Sequence, residues 1–329
     1  MTSPAVPAMA RALWYEAPGV AALRTAPLPA PAAGMVEVRT LFSALSRGTE
    51  RLVLAGLRDG THQARMRAPL QEGDFPFPVK YGYCAVGRVE QGPAELAGRT
   101  VFILAPHQDR LVVEAARVTP VPAAVPARRA VLAANMETAL NALWDSGASA
   151  GDKVTVVGAG LVGLLVAYLA ARLPGAAVSV IDPDPARRTV AEAFGARFTT
   201  APDPAALEAD VVVHASAGAA GLAAALACCG TEARLVELSW YGDAPVSVHL
   251  GGAFHARRLK LVASQVGALP PERRPRWDHA RRLATALALL DDPRLDALIT
   301  AEVAFDDLPE ALPRLLAPGA PGIATVVRY

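Results

Sequence analysis

The sequence predicts an α/β protein of two domains, one β-rich and one built on a doubly wound parallel sheet. Three observations carry that expectation. The chain has 329 residues, more than one hydrophobic core usually organises, so two domains are expected, one interrupted by the other. From about residue 10 to residue 122 the pattern is one of short strands set apart by Gly, Pro and Asn/Asp-type breakers. From Lys153 onward, runs of Val, Ile, Leu and Ala alternate with helical segments, as in parallel strands covered by helices on both faces.

The elements follow in order. "ALWYEA", "MVEVRTLFSAL", "AVGRVEQ", "TVFILA" and "RLVVEAARVTPV" are the expected strands of the first domain, and together they suit a partly open barrel. Across 126–146 the pattern changes, with Ala133, Met136, Leu140 and Leu143 at helical spacing. Next come strand 153–157, helix 161–173, strand 177–181, helix 185–194, strand 210–215, helix 219–228, strand 233–238 and strand 259–263. The remainder reads as helix 277–290, strand 299–303, helix 308–316 and a final strand 323–328 that returns to the first domain. Pro270, Pro271 and Pro275 mark the exit hinge. The expected division is therefore 1–125 completed by 270–329, with 126–269 between.

Composition bounds the partners. With 32 Lys+Arg against 31 Asp+Glu and a net charge of +1, no nucleic acid and no anionic membrane is expected to bind. Clusters such as Arg273, Arg274 and Arg276, or Arg257 and Arg258, read as solvated faces. The opening "MTSPAVPAMARALWY" lacks a basic start followed by an apolar core, so a cytoplasmic protein is expected. The longest apolar run, 161–171, falls well short of the about twenty residues a membrane span needs. Cys84, Cys228 and Cys229 form no C-x-x-C pair and read as reduced, buried residues.

The sharpest motif is "VVGAGLVG" at 156–163. Its glycines are spaced G-x-G-x-x-G after a strand and at the start of a helix. In that setting Gly158 permits a tight turn, Gly160 lets backbone approach a pyrophosphate, and Gly163 lets helix and strand pack closely. The first helical amides, on Leu161, Val162 and Gly163, then face the phosphates. Asp182 stands nineteen residues after Gly163 at the end of the next strand, in "VSVIDPDPARR". A carboxylate there accepts from ribose hydroxyls and repels a 2′-phosphate, favouring NAD over NADP. Arg187 and Arg188 nearby weigh the other way.

The order of parts, with "SRGTE", "GYCAVGRVEQG" and "GAGLVG", resembles the medium-chain dehydrogenase/reductase superfamily over nearly the whole chain. The resemblance implies a GroES-like barrel carrying the substrate site, a Rossmann domain, hydride transfer in the cleft between them, and a homodimer. Edge strands at 299–303 and 246–248 are its candidate dimer contacts. It also implies that Arg187 touches the adenosine ribose in an NAD-using enzyme. Zinc-dependent members place metal ligands where this chain has Ser46, Tyr83 and approximately Ala134, with Cys84 in the place of a Glu, so no zinc is expected. "SRGTE", "FPFPVKYGYCAVG" and "PHQDR" look most like the metal-free branch that includes bacteriochlorophyllide hydroxyethyl dehydrogenases.

Without a metal, interconverting an alcohol and a ketone needs protein groups to move the proton. Tyr83 is the candidate donor, and Lys80 would lower its pKa if the two met. Ser46 and Thr49 are candidates to relay protons or hold the nicotinamide ribose. His107 is a candidate because an imidazole can change charge near neutrality, and Glu137 is a further possible base. Ser216 in "HASAG" and Ser239 in "ELSWYG" lie at strand ends, where open α/β sheets bind ligands; His214 is expected in the core or near the cofactor. Trp240 and Tyr241 are a possible floor for a planar substrate. The expected function is a zinc-independent dehydrogenase using NAD on a small-molecule secondary alcohol or ketone. Reduction of an enone or quinone with NADPH, and a non-catalytic dinucleotide-binding redox sensor, remain alternatives.

Overall fold

The computed structural model describes residues 8–56, 63–203, 207–242 and 244–329. The chain divides into two compact units, one of residues 1–134 with 290–329 and one of residues 135–289. The chain thus returns to the first unit at Leu290, not near residue 270. The helix His279–Ala288 stays with the second unit because Arg282, 2 % exposed, is tied there. Its Nε donates to Glu137 Oε1 at 2.9 Å, and Nη1 and Nη2 donate to Asn141 Oδ1 and the Val266 carbonyl, each at 2.5 Å.

The first unit is β-rich, as its alternating sequence requires. One four-stranded sheet runs Val20–Pro27, Met9–Ala17, Val79–Lys80, Glu72–Gly73. A seven-stranded sheet runs Ile299–Ala304, Ala324–Arg328, Met35–Ala44, Ala85–Gln91, Thr100–Ile103, Val118–Pro120, with Arg110–Glu114 also pairing to Met35–Ala44. Val36, Val38, Val89, Val101, Ile103 and Leu111 from these strands make one buried apolar cluster. The predicted final strand does return here, pairing antiparallel to Met35–Ala44 and parallel to Ile299–Ala304. The expected helix 126–146 is two helices, Ala127–Ala130 and Ala133–Ser146. At the break Arg129 turns aside to hold Asp296 through Nε at 2.8 Å and Nη2 at 2.6 Å.

The second unit has a six-stranded parallel sheet in the order Arg197–Thr199, Ala177–Ile181, Lys153–Val157, Ala209–His214, Cys229–Glu237, Lys260–Ala263. Numbered within the unit, this is 3-2-1-4-5-6, a doubly wound order that reverses between the first and fourth strands. The strand Arg197–Thr199 is absent from the sequence reading, since three residues are too few to show a period. It forms by pairing with Ala177–Ile181. The expected helix 185–194 opens as a 3₁₀ turn, Pro185–Arg187, before Arg188–Ala193, because the Asp184 side chain accepts from the Ala186 amide at 3.0 Å. Residues 246–248 form no strand; Val246 and Val248 pack against the core around Leu222 and Leu235 instead. Among the described residues, no helix is long and apolar enough to cross a membrane.

Candidate functional site

In the second unit, strand Lys153–Val157 runs into Gly158, whose φ of +106° lies in the left-handed region. A Cβ on Gly158 would meet the Ala215 carbonyl carbon and the Ser216 amide nitrogen at 2.8 Å, and one on Gly163 would lie 1.9 Å from the Gly158 carbonyl oxygen. Gly160, the N-cap of helix Leu161–Ala170, has nothing within 4 Å of that position. Two glycines therefore close the turn and the third leaves it open outward. The helix begins there, so the amides of Leu161, Val162 and Gly163 lack intrahelical acceptors and its positive dipole end faces out.

Asp182 follows the neighbouring strand and braces this turn. Its Oδ2 accepts from the Ala159 amide at 2.7 Å and its Oδ1 from the Asp184 amide at 2.9 Å. Each oxygen keeps lone pairs that a ribose hydroxyl can use. Arg187 pairs with Asp184 at 3.1 Å, and Arg188 bonds Glu192 and the Phe198 carbonyl, each at 3.1 Å. The two arginines are thus engaged away from the Asp182 carboxylate.

At the carboxyl ends of strands Ala209–His214 and Cys229–Glu237 lies a polar cluster. His214, fully buried, has Nδ1 2.7 Å from Glu237 Oε2 and Nε2 2.6 Å from Ser216 Oγ. The carboxylate can only accept, so Nδ1 carries a proton, while Nε2 and the Ser216 hydroxyl share a hydrogen bond. Glu237 also accepts from the Ser239 amide at 2.8 Å and the Tyr241 hydroxyl at 3.1 Å, while Ser239 Oγ accepts from the Ala217 amide at 3.0 Å. Burial pushes the Glu237 carboxyl up, but the bonds from His214 and Ser239 outweigh it and hold it below its ordinary value. Tyr241 is thereby a brace for Glu237.

In the first unit, strand Met35–Ala44 leads to Ser46 and the helix Arg47–Ala55. Ser46 does not cap that helix with its side chain. Its hydroxyl instead accepts from the Tyr83 phenol, which also reaches Thr49 Oγ1 at 3.3 Å. Burial raises the Tyr83 pKa above the ordinary phenol value, the nearby Cys84 adds to the rise, and the Ser46 and Thr49 hydroxyls pull it down by less. At neutral pH this phenol keeps its proton. The expected help from Lys80 is absent: its ammonium bonds Glu72 and, at 2.9 Å, Gln108 Oε1. Glu137 is likewise removed from the list of bases, since it is buried against Arg282 in the second unit.

His107 is near this group but not exposed; it is 1 % exposed and held between two partners. Its Nε2 lies 3.0 Å from Glu50 Oε2 and its Nδ1 2.7 Å from Ser43 Oγ, whose oxygen is 3.0 Å from the Tyr329 hydroxyl. Glu50, fully buried, also accepts from the Tyr15 hydroxyl at 2.5 Å and, through Oε1, from the Ser46 amide at 2.6 Å. A consistent set of directions runs Tyr329 to Ser43 to His107 Nδ1, and His107 Nε2–H to Glu50. With it every buried group is satisfied and one negative charge faces three donors. Gly82, with φ +129°, leaves room for the His107 ring, which a Cβ would approach to 3.0 Å. Glu50, Tyr15, Ser43 and Tyr329 are absent from the sequence reading. Only Glu50 left a local signal, a carboxylate in the first helical turn reaching back to the N-cap amide.

This donor set does not fit a tetrahedral zinc site. Tyr83 and Ser46 are poor ligands, Cys84 is buried with its thiol pKa raised by burial and by Glu50, and Glu50 is committed to three donors. Among the described residues, no three of His, Cys, Asp and Glu stand together as a metal set.

The fold is that of medium-chain alcohol and polyol dehydrogenases. No family model matches the chain. It is similar to D-guloside 3-dehydrogenase of Escherichia coli K12, 25 % identical over 325 aligned residues, covering 90 % of this chain and 93 % of that one. Among solved structures, L-idonate 5-dehydrogenase of Escherichia coli K-12 matches 99 % of this chain and 100 % of its own, with a TM-score of 0.80 at 15 % identity. An alcohol dehydrogenase of Escherichia coli CFT073, complexed with NADH, matches 98 % of this chain and 99 % of its own, with a TM-score of 0.76 at 17 % identity.

Proposed function

We propose that this protein is an NAD-dependent oxidoreductase that interconverts a secondary alcohol and a ketone, with the proton handled by Tyr83 instead of by zinc. The observation that carries the reading is the protonated Tyr83 phenol seated on the hydroxyls of Ser46 and Thr49. On this reading the second unit is a Rossmann domain and the first a GroES-like barrel. Gly158, Gly160, Leu161, Val162 and Gly163 hold the pyrophosphate, Asp182 accepts from the adenosine ribose, and Ser216 and Ser239 serve the nicotinamide half. The braced Asp182 carboxylate and the engaged state of Arg187 and Arg188 support NAD over NADP. The curated relative's name, a dehydrogenase of a glycoside hydroxyl, supports a sugar or polyol as the secondary alcohol.

When bound, the cofactor supplies or accepts the hydride at nicotinamide C4. In the reducing direction the Tyr83 O–H bond breaks, its proton goes to the carbonyl oxygen, and the electron pair stays on the phenolate. Ser46 and Thr49 then turn their hydroxyls to donate to that phenolate, which offsets the cost of a charge in a buried place. Oxidation runs the same transfers backward. We further read the protein as a cytoplasmic homodimer with no nucleic-acid or membrane partner.

The test is direct. Tyr83→Phe should lower turnover roughly 10²-fold while leaving NADH affinity within a few-fold, because a general acid is lost and the nucleotide turn is untouched. Fluorescence titration with NADH and NADPH, metal analysis, and a panel of polyols and glycosides followed by absorbance of reduced cofactor complete it. Undiminished turnover in Tyr83→Phe would make that residue a packing group. Tighter binding of NADPH would overturn the cofactor choice, and stoichiometric zinc the proton assignment.

A further inference from the structure

The arginines at 273 and 276 line a cavity of about 510 Å³ in the second unit, together with Trp144, Arg234, Pro270 and Glu272. Gly147, at the end of the same helix as Trp144, also borders it. The cavity lies at the amino edge of the parallel sheet. Arg234 pairs in register with Val211, the third residue of its strand, and with Lys260, the first of its own. The glycine turn is at the opposite, carboxyl edge.

Arginines such as Arg11, Arg24, Arg129, Arg257 and Arg282 each lie on a carboxylate. Arg234, Arg273 and Arg276 take part in no ion pair among the described residues. Three guanidiniums facing one cavity raise a positive potential there, which the exposed Glu272 and the Asp145 carboxylate beside Arg234 offset only in part.

Two of the three are also held in place. The Arg273 guanidinium lies over the Trp144 ring at 4.9 Å, and Trp144 packs on Trp277 at 4.7 Å. Arg234 Nη1 donates to the Asp145 carbonyl at 2.9 Å, at the end of helix Ala133–Ser146, where a cation suits the dipole. Gly147 makes room, since a Cβ there would sit 3.3 Å from Arg234 Nη1. The strap carrying Arg273 and Arg276 is a helical turn, with the Arg273 amide on Pro270 and the Arg276 and Trp277 amides on Arg273, each at 3.0 Å. Arg276 makes no side-chain hydrogen bond among the described residues and is exposed. It is ready to bond a ligand.

We propose that this cavity is an anion site for a phosphate dianion, free or as a phosphomonoester, separate from the nucleotide turn. Guanidinium forks match phosphate oxygens in pairs, and preorganised arginines lose little freedom on binding. The probe is inorganic phosphate, titrated at constant ionic strength while tryptophan fluorescence is followed, with chloride as control. A saturable change from phosphate, flat in chloride and absent in Trp144→Phe, is expected. Arg273→Gln and Arg276→Gln should each weaken it about ten-fold. Because the Arg276 side chain makes no hydrogen bond among the described residues, its variant should fold as the parent does and bind NADH equally well. A linear response, or the same phosphate affinity in Arg276→Gln, overturns the proposal. So does a parallel loss of NADH affinity, which would give these arginines to the nucleotide. Saturation by phosphate in a protein that binds no NADH supports this site and removes the cofactor reading instead.

Discussion

Replacing Glu50 by alanine is expected to lower stability by about 3–5 kcal/mol, since each of three buried donors left without an acceptor costs about 1–3 kcal/mol. In a unit of this size that is a fall in melting temperature of about 6–20 °C. The reason is the number of donors left behind. The Tyr15 hydroxyl, His107 Nε2–H and the Ser46 amide all end on this one carboxylate, and among the described residues nothing else accepts from them. Water has no route to replace it at a residue with 0 % exposure. Glutamine should do better than alanine but still fall short of glutamate. It fills the space, yet all three partners donate, and its amide offers one acceptor oxygen and an NH₂ that faces a donor. The ranking Glu, Gln, Ala in calorimetric melting is the result to look for; an alanine variant melting within about 2 °C of the parent would show that the network contributes little. Because Ser46 also seats the Tyr83 phenol, Glu50→Gln should lower turnover without changing NADH affinity, as befits a positioning residue on the other unit from the nucleotide turn.

What was legible in the sequence and what was not divides along physical lines. The doubly wound sheet could be read because its strands are covered on both faces, so each is a nearly unbroken apolar run that needs no knowledge of neighbours. The glycine turn could be read because its spacing is local, set by one strand, one turn and one helix. Strand Arg197–Thr199 could not, since only its neighbour makes it a strand. Tyr83, Ser46 and Thr49 were found as candidates, and the structure brings all three together. Lys80, His107 and Glu137 were misjudged for a shared reason: each has a partner distant in sequence that already uses its polar atoms. Gln108 and Glu72 hold Lys80, Glu50 and Ser43 hold His107, and Arg282 holds Glu137. A sequence displays which groups can titrate, but not which are already spoken for. The arginines of 273–276 read as a solvated face, and Arg274 and Arg276 are exposed; what the sequence does not display is that Trp144 fixes Arg273 beside a cavity.

Alanine at Gly163 and alanine at Gly160 should part company, and the contrast tests the nucleotide turn more sharply than either alone. At Gly163 a methyl group would lie 1.9 Å from the Gly158 carbonyl oxygen and 3.1 Å from its carbon. Both are backbone atoms that cannot swing aside, so helix Leu161–Ala170 must move off the strand it packs on. A loss of about 4 kcal/mol or more is expected, at the upper end of what single substitutions do. NADH binding should fall at least about 100-fold with it. At Gly160 the backbone is ordinary, with φ of −73°, and nothing lies within 4 Å of an added Cβ. Alanine there should leave the melting temperature within about 2 °C of the parent. Its methyl would point into the space a pyrophosphate must enter to reach the amides of Leu161 and Val162, so NADH affinity should still drop by about ten-fold or more. Stability lost at both positions would mean the turn is tighter than its geometry indicates. Affinity kept at Gly160 would mean the phosphates do not lie on this helix, because only a ligand could notice a methyl group that the folded protein does not.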